Sequence, residues 1–263
     1  MTFKSVMGLF RAARPDPAAI EVRHGDERLR VELRRSPNAR RLILRVRGAT
    51  RDAVLTVPRR TSLADAQSFA ERQAAWIGAR LKRLPAPVHF EPGAIIPMRG
   101  EPTRLVSRAG ARGVAWIEAA ASPGDPQTLY VAGDPRHFER RTLDFLRREG
   151  RRDLGRAVAE AAARIGRPAP AFTLRDTTSR WGSCTSAGRL NFSWRLILAP
   201  PFVLDYLAAH EVSHLVHMNH GAEFWALCHR LNGDVDRAEA WLDAHGAGLH
   251  RYRAGRGPDG EVD

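Results

Sequence analysis

Cysteine is scarce in this 263-residue chain: Cys184 and Cys228 are the two it holds. That excludes a disulfide framework and any multi-cysteine zinc ribbon. Lysine is nearly missing as well, since Lys4 and Lys82 are the two among 42 basic residues and the rest are arginines. No apolar run approaches the roughly 18–20 residues that a membrane-crossing helix needs, so no membrane partner is expected. The apolar stretch at 6–10 is too short for a signal-peptide core, and no small-residue cleavage site follows it. A cytoplasmic protein with reduced thiols is expected. Aromatic residues make up 7% of the chain. None is interleaved with the basic clusters Arg34-Arg35, Arg40-Arg41 and Arg59-Arg60, so no stacking platform for single-stranded nucleic acid is evident.

Hydrophobic residues are plentiful at 43%, too many for a disordered chain. The net charge of +13 is uneven: residues 1–60 carry +9 and residues 138–209 carry +6, whereas residues 210–263 are net −4. Arginine holds phosphates with a planar bidentate fork, so the basic N-terminal and middle regions permit a nucleic-acid partner. Charge alone speaks to association and solubility rather than to fold.

From residue 20 to 57 apolar and charged residues alternate (Leu29, Val31, Leu33; Leu42, Leu44, Val46; Val54, Leu55, Val57), which predicts strands. Turn residues at 36–38 and 48–50 join them, and the pattern is expected to form an antiparallel meander with one arginine-rich face. Thr61 or Ser62 can cap a helix running to about residue 84, with Phe69, Trp76, Ile77 and Leu81 on its buried stripe. Short strands are expected over 88–133. A second helix follows Asp134-Pro135, with Leu154, Val158, Ala161 and Ile165 at helical spacing and Arg147, Arg148, Arg151 and Arg152 as a charged band. No internal repeat is visible.

The segment that carries chemistry is 205–225, DYLAAHEVSHLVHMNHGAEFW. Its apolar spacing predicts a helix over about 201–218, opened by Pro201 at a position that proline favours. His210 and His214 are one turn apart and can grip one cation. Glu211 stands where it can take a proton from water held by that cation. Three residues compete for the third ligand position. His220 lies ten positions after His210 and can return to the metal if the chain turns near Met218-Asn219. Glu223 and His217 are the rivals, and His217 is disfavoured by an axial offset of about 10 Å from His210.

Three further stretches extend the pattern: Arg180-Trp181-Gly182-Ser183-Cys184 with Gly188-Arg189-Leu190-Asn191; Trp194 through Pro201 running into Leu204-Asp205-Tyr206-Leu207; and His210-Glu211-Val212-Ser213-His214-Leu215 with Asn219-His220 and Phe224-Trp225. With these the chain, over roughly residues 20–253, resembles the YgjP-like metallopeptidases, relatives of the SprT/Spartan and WLM zinc proteases. The resemblance implies an α+β protein: a minimal zincin-like, minigluzincin-type catalytic domain behind an N-terminal antiparallel β-rich region. It implies Zn2+ held by His210, His214 and His220, with Glu211 as general base in a zinc-dependent metallopeptidase acting on a protein or peptide. Cys184 is not expected as a ligand, Trp181, Trp194 and Tyr206 are expected to pack, and His245 is a weak candidate oxyanion donor. The expected division is a flexible N-terminus over 1–19, a β-rich region with one helix over 20–135, the metallopeptidase domain over 136–253 and a flexible tail over 254–263. Two other readings stand beside the peptidase. One is a DNA-associated protease acting on nucleic-acid-bound proteins, as in the SprT/Spartan relatives. The other is a non-catalytic zinc or interaction module, which would have no use for Glu211.

Overall fold

A computed structural model describes residues 16–48 and 50–253. Residues 1–15 of the flexible N-terminus expected over 1–19, the tail expected over 254–263 and the short apolar stretch at 6–10 lie outside the described residues. Asp16 to Ala19, expected to be flexible, are held instead: Leu33 N donates to Ala18 O at 2.9 Å, and Ala19 opens the first strand. The chain divides into two compact units between Leu84 and Pro85.

In the first unit the alternating segments become β1 (Ala19–His24), β2 (Glu27–Ser36), β3 (Ile43–Arg47) and β4 (Asp52–Pro58), in the order β1-β2-β4-β3. The sheet is mixed and not the expected meander. β2 and β4 run parallel, with Val31 opposite Ala53 and Leu33 opposite Leu55, while β3 pairs with β4 at the edge. Period-2 alternation is the same for either strand direction, so the pattern could not distinguish them. Two helices cover the apolar face, α1 (Leu63–Arg72) and α2 (Ala74–Lys82), where one was expected. Ser62 caps α1, its Oγ accepting from Asp65 N at 3.1 Å. Gln73 breaks the helix, with φ −97° and ψ 3°. The break turns Trp76 outward to 46% exposure, while Ile77 stays fully buried beside Ala66, Ala70, Val31 and Leu55.

The second unit opens with β5 (Val88–His89), β6 (Ile95–Met98), β7 (Glu101–Arg108), β8 (Ala115–Glu118) and β9 (Gln127–Ala132). The last four form a sheet ordered β6-β7-β9-β8, with β7 and β9 parallel and the other pairs antiparallel. This is the order and polarity of the first sheet, so the chain repeats a four-stranded topology that shows no period in its sequence. These strands share one apolar core with the histidine-bearing helices, because Leu105, Leu129 and Val131 pack with residues of the next helix. The boundary expected at 135/136 therefore falls inside this unit.

That next helix is α3 (Phe138–Arg164), which buries Leu154, Val158 and Ala161 as the spacing predicts and Phe145 and Leu146 besides, while Ile165, expected on the same stripe, is its half-buried cap. Its arginine band is largely engaged. Arg152 and Arg148 reach Glu149 at 2.6 and 3.9 Å, and Arg151 lies 5.6 Å over the Phe172 ring. A small sheet of β10 (Phe172–Arg175), β11 (Gly182–Cys184) and β12 (Leu190–Ser193) follows, with β12 in the centre and β11 antiparallel to it.

A 3-10 turn over Trp194–Leu198 then leads into α4 (Pro201–Ser213). The turn between β6 and β7 fastens it: Arg99 N donates to Ile197 O at 2.7 Å and Gly100 N to Leu198 O at 3.3 Å. Arg99 also holds α3 through Asp153 and Glu149 at 2.7 and 2.9 Å. α4 is apolar nearly all round, the mark of a helix inside a core. It is followed by α5 (Ala222–Leu231), α6 (Val235–Trp241), α7 (Ala247–Leu249) and β13 (Tyr252–Arg253), which pairs with β5.

Candidate active site

α4 ends at Ser213, earlier than the apolar spacing predicts. Leu215 N and Val216 N bond to carbonyls three residues back, Val212 O and Ser213 O, both at 3.0 Å, which tightens the last turn and releases the chain. His214 is thus the C-terminal cap of α4, still one turn from His210. The early exit lets the following loop carry His220 back over the helix end.

The ligand atoms of His210, His214 and His220 lie within 4.8 Å of one another, and the Nε2 atoms of His210 and His220 are 3.1 Å apart. His217 and Glu223 are not in this group. His217 contributes its carbonyl, which accepts from His214 Nδ1 at 3.1 Å, and its ring faces Glu223 at 3.6 Å. A carbonyl only accepts, so the proton of His214 sits on Nδ1 and Nε2 keeps its lone pair. On His210, Nδ1 faces Tyr206 Oη at 3.2 Å. Phe224 of α5, fully buried, backs the whole cluster, with its ring centroid 4.6 to 4.9 Å from all three imidazoles.

Burial shifts two of these imidazoles. Removal from water, helped by the two neighbouring imidazoles, pushes His210 down to about 4. Burial also lowers His214. Three imidazoles converging on one point form a donor set that suits a divalent transition-metal cation.

Glu211 is 4% exposed, and its Oε2 has no hydrogen-bond partner among the described residues. Burial raises its carboxyl to about 7, with Arg180 the opposing influence. Gly182 of β11 makes room for it: a Cβ built there would meet Oε1 and lie 2.8 Å from Cγ. β11 is an edge strand. Trp181 O and Thr185 N bond to the β12 side, so strand alternation turns the backbone groups of Gly182 and Cys184 to the outer edge.

The remaining expectations sort as follows. Cys184 is half-buried, with its thiol pushed up by burial and by Glu211, and it is outside the histidine group. Trp194 is core, and Trp181 stacks on His250 at 5.1 Å. His245 is exposed with its ring 5.1 Å from Trp241. Sequence reasoning missed Gly182 as the neighbour of Glu211, and it missed Glu239, which meets Tyr206 from α6. The stretch holding Gly182 was visible as a motif, whereas nothing in the sequence marks Glu239.

Residues 40–245 match the family model described as YgjP-like, metallopeptidase domain. The chain belongs to the YgjP-like metallopeptidase family. No curated protein and no solved structure gives a significant match. As a YgjP-like chain it is a metallopeptidase in general terms, a hydrolase class that implies a metal cofactor. The matched span is somewhat narrower than the 20–253 expected from motifs, and it contains both the β11 stretch and all three clustered histidines. Mixed helices and sheets agree with the α+β expectation. Among the described residues no helix is long and apolar enough to cross a membrane.

Proposed function

We propose that this chain is a zinc-dependent peptidase of the minimal zincin type, with His210, His214 and His220 as ligands and Glu211 as general base. The convergence of three imidazoles beside a buried carboxyl whose Oε2 has no hydrogen-bond partner among the described residues carries the reading. When bound, the ion supplies Lewis-acid polarisation of a carbonyl and makes water acidic near neutral pH. Glu211, raised toward neutrality by burial, is suited to accept a proton from the attacking water and return it to the leaving amine. The outer edge of β11 offers backbone donors and acceptors to an extended peptide, beside the Glu211 carboxyl. A non-catalytic module gives no reason to bury a carboxylate beside its ligand.

The test pairs two variants. Glu211→Gln is expected to keep one metal ion per chain and lose peptide hydrolysis by about 10²–10⁴-fold, the range typical of a positioned base. His214→Ala is expected to lose the metal. Unchanged turnover in the Gln variant would sink the assignment. Trapping proteins with that variant in cells, followed by mass spectrometry, identifies the substrate.

A second reading, recruitment by nucleic acid, is favoured by the first sheet. On the face away from α1 and α2, the exposed Arg23, Arg30 and Arg45 have no ion-pair partner among the described residues. The α3 band is mostly engaged within the fold, so this face is the better candidate for phosphates. Duplex DNA binding that weakens steeply with salt, and weakens further when these three become Gln, is the expected result. No mobility shift at low salt removes this reading.

A further inference from the structure

Tyr206 lies between the histidine cluster and α6. Its hydroxyl is 3.2 Å from His210 Nδ1 and donates to Glu239 Oε1 at 2.8 Å. A phenol has one proton, and a carboxylate offers acceptors alone. With that proton committed to Glu239, the phenol oxygen is left as an acceptor toward His210. The ring must then carry its proton on Nδ1, which leaves the Nε2 lone pair aimed at His220 and the rest of the cluster. The two rings pack edge-on, 5.7 Å apart at 75°.

We propose that Tyr206 and Glu239 are positioning residues that fix the tautomer and orientation of His210, and so set how tightly the cluster holds its metal. The inference rests on the reading of His210, His214 and His220 as ligands. It adds a residue of α6, 29 positions beyond His210 in the chain, to the determinants of that site. His214 obtains the same result from a backbone carbonyl, which no side-chain substitution removes. The Tyr206–Glu239 pair is therefore where side-chain chemistry can tune the centre. Partners of this kind change metal affinity by about 10–100-fold when removed.

The experiment measures zinc affinity by competition with a chromophoric chelator on the full chain, and the His210 tautomer in the metal-free chain by long-range 1H–15N correlation. Wild type is expected to bind one zinc and to show the proton on Nδ1. Tyr206→Phe and Glu239→Ala are each expected to weaken zinc binding by at least about 10-fold and to mix the tautomers. Glu239→Gln keeps a carbonyl oxygen for the phenol and is expected to stay near wild type. A role confined to packing would instead lower the melting temperature of the metal-free chain without moving the tautomer. Wild-type affinity in both Tyr206→Phe and Glu239→Ala overturns the proposal, as does a wild-type proton on Nε2. Should Tyr206→Phe fail to fold, the exposed Glu239→Ala decides alone. A wild-type chain that binds no zinc overturns the metal-centre reading itself, a failure recognisable before any variant is made.

Discussion

Gly182 presses its backbone against the carboxylate of Glu211, where a Cβ would lie 2.8 Å from Cγ and closer still to Oε1. The glycine is required there for space and not for backbone angle, since its φ lies outside the left-handed region. Gly182→Ala is expected to displace the carboxylate while leaving the histidines in place. Misplacing a reacting group by about 1 Å can cost on the order of 10²-fold, so kcat should fall by about that factor. Zinc content should remain one per chain. Measuring both on the same preparation checks this, and a fully active alanine variant would show that Glu211 does not work from this position.

Metal removal should be visible as stability. A ligand that binds the folded state at about 100 times its Kd stabilises by about 2.7 kcal/mol, which corresponds to several degrees of melting temperature for a unit of this size. Chelation is expected to lower the melting temperature and abolish hydrolysis, with zinc restoring both. In His214→Ala the chelator should have no effect on melting.

Stability should also depend on pH through His250, which is not one of the three clustered histidines. Burial, with Arg195 beside it and Asp176 opposing, pushes its imidazole down to about 4. It stacks on Trp181 at 5.1 Å, and its Nδ1 is buried without a partner among the described residues. A folded value below the ordinary 6.5 means that the unfolded chain binds more protons between the two. The contribution is therefore complete above about pH 6.5 and is lost as pH falls toward 4. Its size is on the order of 2 kcal/mol. Urea midpoints of the metal-free chain should drop between pH 7 and pH 5, and His250→Phe, which keeps the stacking, should lessen that drop, the remainder coming from His210 and His214.

The β6–β7 turn offers a fourth test. Gly100 has φ +81°, and a Cβ there would come within 3.0 Å of Pro200. Gly100→Ala meets both the left-handed backbone, costing about 1–2 kcal/mol, and the clash with Pro200, the cap residue just before α4. A lowered urea midpoint of at least that size is expected. If the alanine variant were as stable as wild type, the turn would not be holding the segment before the histidine-bearing helix.

The amino-acid sequence by itself determined the local and periodic features. The alternation of Leu29, Val31 and Leu33 specifies a strand with one wet face, Ser62 specifies a helix start, and the His210–His214 spacing specifies two imidazoles one turn apart, because each follows from backbone periodicity over a few residues. Tertiary structure decided what depends on meetings between distant segments. Period-2 alternation does not encode strand direction, so the parallel pairing of β2 with β4 and its repetition in β7 and β9 emerged from the fold. The break at Gln73 leaves Trp76 exposed and Ile77 buried. The exit of the chain at Ser213 brings His220, and not His217, together with His210 and His214, because tightened turns at the helix end redirect the loop. Gly182 beside Glu211, Phe224 behind three histidines and Glu239 behind Tyr206 each join residues far apart in the chain. Such contacts are set by how the core closes, and no spacing along the sequence records them.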